Sequence, residues 1–270
     1  MLEEKLNQLK QIFAQMPQTL IAYSGGVDSS LVAYVAHLTL GDDALSVTAV
    51  SPSLLPEELE EAKEQAVLMR INHQIIETKE MEDANYSSNP VNRCYFCKSE
   101  LHDKLKELAQ VRGYPYIVDG VNLDDLQDYR PGIQAAKERG VRSPLAEVGI
   151  SKAEVRELSR QLNLPWWNKP SSPCLSSRFP YGEEITVNKL ERVGRAEIYL
   201  RKLGYQNVRV RSQEDVARIE LPFERIQEFI AKEDISTLTK TFQSLGFIYV
   251  TLDLEGYRSG KLNQEINALS

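Results

Sequence analysis

The sequence predicts an α/β protein: a doubly wound parallel sheet over residues 1–170, followed by a smaller α+β domain over 171–270. Three observations carry this reading. Short apolar runs alternate with segments of helical spacing through the first 170 residues. The run Leu20-Ile21-Ala22-Tyr23 leads through a Gly-Gly turn directly into a helical segment. The alternation then breaks at residues 168–182, which hold three prolines and four serines, and the order of elements changes beyond it.

Taken in order, an amphipathic helix over Leu2–Met16 stops at Pro17, and the first strand covers Thr19–Tyr23. A helix with apolar positions Leu31, Val32, Val35, Ala36 and Leu38 follows, then a strand over Ala44–Val50 ending at Ser51-Pro52. Pro56-Glu57-Glu58 opens a helix, because proline suits the first turn and acids suit its dipole. His73–Ile76 and Tyr116–Val118 supply the third and fourth strands, and Ser151-Lys152-Ala153-Glu154 is a capping box. Strands joined through helices imply parallel pairing with right-handed crossovers. Ligands of such sheets bind beyond the carboxyl ends of the strands, where the Gly-Gly turn and Asp119-Gly120 both fall. In the second domain, Val187–Leu203 reads as a helix, 208–211 and 217–221 as paired strands, and Tyr249–Leu252 as a strand after two more helices.

The chain has 270 residues, 42% of them hydrophobic and 26% charged, which describes a globular protein with ample core. No apolar stretch approaches the roughly 20 residues that span a bilayer. The first residues, Met1-Leu2-Glu3-Glu4-Lys5, lack the basic and apolar regions of a signal peptide, so a cytoplasmic location is expected. A net charge of −7 argues against a large nucleic-acid footprint, so neither a nucleic-acid nor a membrane partner is expected. Three cysteines in a reducing compartment point to chemistry or metal rather than a disulfide framework.

Ser24-Gly25-Gly26-Val27-Asp28-Ser29-Ser30 is the most informative segment. A Gly-rich turn at a helix N-terminus points backbone N–H groups at an anion, and glycine lets phosphates approach closely. Ser24, Ser29 and Ser30 add hydroxyl donors, and Asp28 is a candidate magnesium ligand. No GxxxxGK[ST] occurs, so this is not the P-loop of kinases and GTPases. The segment resembles the SGGxDS loop of the PP-loop ATP pyrophosphatases. That resemblance implies ATP cleavage between the α- and β-phosphates and adenylylation of a substrate oxygen.

Cys94-Tyr95-Phe96-Cys97 is a CxxC, and Cys174 lies in the Pro/Ser-rich linker. With His102 these residues match a Cys₃His zinc site; alone they match a cluster with one iron left open. Arg209 and Arg211, two apart on a strand, share one face. With Arg178 they suit a phosphate or carboxylate, while Glu197 suits an arginine or a ribose. Trp166-Trp167 precede the linker as core or interface residues.

The linker run from Pro173 to Gly182 is similar to that of the LarE-type sulfur transferases that mature lactate racemase. Asp119-Gly120-Val121-Asn122, Asp128-Tyr129-Arg130-Pro131-Gly132, the 208–211 and 217–220 strands and the 246–253 segment extend the resemblance over nearly the whole chain. It implies ATP-dependent sulfur insertion into pyridinium-3,5-biscarboxylic acid mononucleotide through an acyl-adenylate, for the nickel-pincer nucleotide. Family members with one linker cysteine sacrifice its sulfur. Those with a CxxC besides hold a [4Fe-4S] cluster, and this chain carries the latter pattern at Cys94, Cys97 and Cys174. The resemblance further implies ATP at Ser24–Ser30 and Gly120, substrate at Arg178, Glu197, Arg209 and Arg211, a sulfide donor as partner and a homo-oligomer, often a hexamer. The competing readings are an amide-forming PP-loop synthetase using ammonia, a tRNA thiolase, and a non-catalytic nucleotide-binding protein with structural zinc.

Overall fold

A computed structural model describes residues 2–127, 130–258 and 261. Asp128 and Tyr129, part of one family-like stretch, lie outside the described residues. In chain order the elements are α1 (Leu2–Ala14), β1 (Thr19–Ala22), α2 (Val27–Leu40), β2 (Ala44–Val50), α3 (Pro56–Met69), β3 (Asn72–Glu77), α4 (Ala84–Ser87) and α5 (Arg93–Arg112). Then come β4 (Tyr116–Val118), α6 (Pro131–Glu138), α7 (Pro144–Val148), α8 (Lys152–Gln161), α9 (Val187–Lys202), β5 (Arg209–Gln213), β6 (Val216–Glu220), α10 (Ile226–Lys232), α11 (Ile235–Ser244) and β7 (Tyr249–Leu252). Among the described residues, no helix is long and apolar enough to cross a membrane.

The described residues divide into two compact units, one of residues 1–80 and 92–172, the other of 81–91 and 173–270. The first is the α/β sheet that the sequence predicts. Its four strands run β3-β2-β1-β4, all parallel. Successive residues of β1 feed opposite faces: Ile21 joins Leu9, Phe13, Leu31, Val155 and Leu158, while Leu20 joins Val47, Leu105, Ile117 and Ala136. Helices α1, α2, α3 and α8 thus cover one face and α5 and α6 the other, the arrangement that buries a parallel sheet on both sides. The chain leaves β1 toward β2 on one side, while β4 lies on β1's other side. That reversal opens a crevice beyond the ends of β1 and β4, where the Gly-Gly turn and Asp119-Gly120 begin.

The second unit carries a three-stranded sheet, β5-β6-β7, with β5 and β6 antiparallel and β6 and β7 parallel. Its core holds Phe179, Leu190, Val193, Val210, Ile219, Phe242 and Phe247, all at most 2% exposed. Residues 81–91 join this unit through hydrogen bonds with no sequence signature. Gly182 N–H donates to the Asn89 carbonyl at 2.9 Å, and Ile185 N–H to the Ser87 carbonyl at 2.8 Å. The buried Tyr86 hydroxyl meets Ser176 Oγ at 2.5 Å.

Candidate functional site

The loop after β1 turns at Gly25, whose φ of +71° an L side chain resists. A Cβ there would also stand 2.9 Å from that of Ala62 on α3. Ser24 and Ser29 are linked through their hydroxyls at 3.1 Å, and Ser29 Oγ donates to the Gly26 carbonyl at 3.2 Å. Ser30 departs from the expectation of a donor at the loop mouth. It is fully buried and donates to Gln65 Oε1 at 3.0 Å, because its place on α2 faces the core. Tyr23, just before the loop, is also enclosed, and burial pushes its phenol up to about 12.

Gly120 comes against this loop from β4. A Cβ built on it would stand 2.8 Å from Ser29 N and 2.9 Å from Ser29 Cα. The segment it opens is tied down by its own polar groups. Asp119 Oδ1 accepts from Ser143 Oγ at 2.7 Å and from Val121 N–H at 3.1 Å. Burial raises the Asp119 carboxyl pKa against the lowering effect of these bonds. Asn122 Nδ2 donates to Asp28 Oδ1 at 3.1 Å, and Lys152, the first residue of α8, pairs with Asp28 Oδ2. Lys169 pairs with Glu61 at 2.5 Å and reaches the Gly25 carbonyl at 3.5 Å. Sequence reasoning recognised Lys152 only as part of a capping box, and Asn122 and Lys169 not at all as neighbours of the loop. The oxygen donors around Asp28 are hard ligands of the kind magnesium takes, and an ammonium already sits on that carboxylate.

Cys94 and Cys97 lie in the first turn and a half of α5, so their spacing puts both on one helix face. Cys94 is exposed, Cys97 half-buried, and Cys174, in the second unit, is exposed. None of the three is in a disulfide. Soft thiols in that spacing suit an iron–sulfur cluster or zinc. Among the described residues, no three His, Cys, Asp or Glu side chains are gathered as a metal site.

His102 is 1% exposed, and its Nδ1 has no hydrogen-bond partner. Burial, with the cations of Lys98 and Arg139 behind it, pushes its pKa from 6.5 down to about 3. The folded value lies below the unfolded one, so stability is full above about pH 6.5 and falls as the pH drops toward 3. Between pH 7 and pH 5 the loss from this residue is expected to be about 2 kcal/mol. Urea unfolding of His102→Leu should show that much less acid sensitivity, and an unaltered pH dependence would contradict it.

In the second unit, Arg178 and Glu197 are enclosed, with side-chain exposures of 0% each. Arg178 Nε and Nη2 donate to the two Glu197 oxygens at 2.8 and 3.0 Å. Its Nη1 donates to the carbonyls of Pro173 at 2.7 Å and Cys174 at 3.1 Å, and to Ser177 Oγ at 2.8 Å. The pair thus fixes the backbone that carries Cys174. Burial acts to raise the Glu197 pKa, yet Arg178, Arg209 and the Val210 N–H leave it below the usual carboxylate range. Arg209 is buried too, lying 5.3 Å from the Tyr257 ring, and burial followed by Arg178 lowers its pKa. Arg211 reaches a cavity of about 220 Å³ that Arg178, Ser212, Arg218, Thr251 and Lys261 also line. Arg218 and Lys261 were not anticipated from sequence; Arg218 lies opposite Arg211 in the β5–β6 register, a pairing visible only once the hairpin is aligned. Trp166 packs on the first unit's core, and Trp167 is 37% exposed.

No protein-family model matches the chain. An uncharacterised protein of Synechocystis is 66% identical over 98% of this chain and 98% of its own length. Pyridinium-3,5-bisthiocarboxylic acid mononucleotide synthase of Lactiplantibacillus plantarum is 40% identical over 93% of this chain and 91% of its own. The chain belongs to the LarE-type family of these synthases. Beyond the LarE family, one component of the glutamine-hydrolysing GMP synthase of Archaeoglobus fulgidus is 26% identical over 70% of this chain and 67% of its own.

Proposed function

We propose that this LarE-family chain inserts sulfur, at the expense of ATP, into a pyridinium dicarboxylate mononucleotide. The observation that supports this most is the 40% identity, over 93% of the chain, to a synthase whose product carries two thiocarboxylates. The Ser24–Ser30 loop at the reversal of the sheet supports ATP as the activating nucleotide. A substrate carboxylate oxygen attacks the α-phosphorus and pyrophosphate leaves. A sulfur nucleophile then attacks the acyl carbon, and AMP departs with the carboxylate oxygen. Ser24, Ser29 and the backbone before Gly120 bind and orient the phosphates, and Asp28 would hold magnesium. A [4Fe-4S] cluster on Cys94, Cys97 and Cys174 would supply replaceable sulfide. Arg211, with Arg218 and Lys261, binds the mononucleotide's anionic groups, while Arg178, Glu197 and Arg209 shape the wall behind them. The GMP synthase likeness favours an ammonia-using synthetase as a second reading.

The test is product analysis after anaerobic reconstitution with iron and sulfide. AMP, pyrophosphate and a thiocarboxylate are expected, and ADP or an amide product would sink the proposal. Serine at any one cysteine should abolish sulfur transfer and spare AMP formation. A Cys94→Ser/Cys97→Ser protein that still delivers one sulfur and turns Cys174 into dehydroalanine would establish the sacrificial route instead.

A further inference from the structure

We propose that Tyr249, on the open face of the second unit's sheet, receives the substrate's pyridinium ring, while the phosphate of the same molecule lies on Arg211 and Arg218. This rests on the mononucleotide reading above.

The register of β5, β6 and β7 orders that face. Arg211, Arg218 and Thr251 pair across the three strands as one row, and Gln213, Val216 and Tyr249 as the next. Residues paired in register share a face, so all six rise on one side of the sheet, opposite the buried Val210 and Ile219. Arg218 has 43% of its side chain exposed and is open to a phosphate. Two residues beyond Arg218 and Thr251 along their strands stand Glu220 and Asp253. Both are committed: Arg211 pairs with Glu220 at 3.1 Å, and Lys261 with Asp253 at 2.5 Å. Their side chains are 0% and 10% exposed, so no ring fits against them. Their charge also repels the carboxylates that the substrate's ring carries. A nucleotide anchored on the cation row therefore extends the other way, over Gln213, Val216 and Tyr249, which carry no charge.

Tyr249 stands apart in that second row. It is 64% exposed, and neither its ring nor its hydroxyl has a polar or aromatic partner among the described residues. The core of the unit does not use it. Two steps along a strand cover about 7 Å, which is the reach of one ribose between a 5′-phosphate and the ring it bears. Tyrosine presents a face of negative potential, and a pyridinium ring brings positive charge to it. The row thus reads the ring charge of the substrate, while the arginines read its phosphate.

Three ligands separate these two roles. Binding to the intact protein is measured by calorimetry for nicotinamide mononucleotide, for its reduced form with a neutral dihydropyridine ring, and for ribose 5-phosphate. Wild type should prefer the cationic ring, and Tyr249→Leu should lower that preference about two- to five-fold, the strength of an exposed cation–π contact. Tyr249→Phe keeps the ring face and should keep the preference. Ribose 5-phosphate should bind wild type and Tyr249→Leu alike, which also shows that the sheet is intact. Arg218→Met should weaken all three ligands together. A Tyr249→Leu protein with the wild-type preference overturns the ring contact. So does one that loses ribose 5-phosphate, because Tyr249 would then support the face rather than the ring. An Arg218→Met protein that binds all three like wild type overturns the placing of the phosphate. A wild-type protein that binds none of the three removes the mononucleotide reading itself, and this contact with it.

Discussion

Glu197→Gln is expected to destabilise the second unit by about 3–5 kcal/mol, because it leaves the Arg178 guanidinium buried without its counter-charge. Glutamine keeps the shape of the side chain, so the loss reports charge rather than packing. The effect is large because both partners are fully enclosed and Glu197 also accepts from Val210 N–H at 3.0 Å and from Arg201 at 3.2 Å. Arg178→Met should cost a similar amount, and it also deprives the carbonyls of Pro173 and Cys174 of a donor. The double variant should lose clearly less than the sum, since with both ionic partners gone no unpaired charge stays buried. Hydrogen exchange over residues 173–221 reads this unit separately from the sheet domain, and alkylation of the exposed Cys174 reads the linker. A Glu197→Gln protein within about 0.5 kcal/mol of wild type would show that water or a neighbouring carboxylate relieves the site.

Much of the sheet domain was legible because parallel strands bury both faces. Leu20-Ile21-Ala22 and Ala44–Val50 are nearly continuous apolar runs, and the helices between them keep their period. The crevice was legible for the same reason: a strand ending in Gly-Gly and another ending in Asp-Gly mark one edge of the sheet. The second unit was less so. Spacing shows that Arg209 and Arg211 share a face of β5 but not whether that face is wet. Arg209 lies opposite Glu220, itself fully buried, and only Arg211 of the two opens to the cavity. Arg178 and Glu197 were legible as partners in charge, but their complete burial depends on α9 crossing β5. The place of residues 81–91 in the second unit rests on Asn89, Ser87 and Tyr86, ordinary polar residues whose partners lie about 90 positions away. No local signal announces such contacts. Lys152 was hidden for a similar reason: its helix N-terminus meets that of α2 only after the sheet has brought both to one edge.

If the Ser24–Ser30 loop seats ATP as proposed, Gly120→Ala should abolish ATP binding although it adds a single methyl group. That carbon would lie 2.8 Å from Ser29 N and 3.2 Å from Asp28 C, distances that atoms of a rigid helix turn cannot accept. Neither neighbour is the end of a flexible side chain. Either the first turn of α2 moves away from the loop or the 119–122 segment retreats, and both motions break the Asn122 to Asp28 bond. Overpacking of this kind costs about 1–3 kcal/mol of stability, so the protein should remain folded while the phosphate seat is lost. Gly26→Ala is the informative contrast. A Cβ at Gly26 would meet only Ser24 Oγ, at 3.4 Å, and the residue has an extended backbone with φ of −77°. Its stability should stay within about 1 kcal/mol of wild type, the ordinary difference between glycine and alanine at a helix cap. Thermal unfolding of the two variants, with and without ATP, therefore separates a steric wall from a tolerant turn inside one loop. Equal stability of both variants, with ATP stabilising each as it does wild type, would mean that the β4 segment is free to yield, and the close approach of Gly120 would not define the seat.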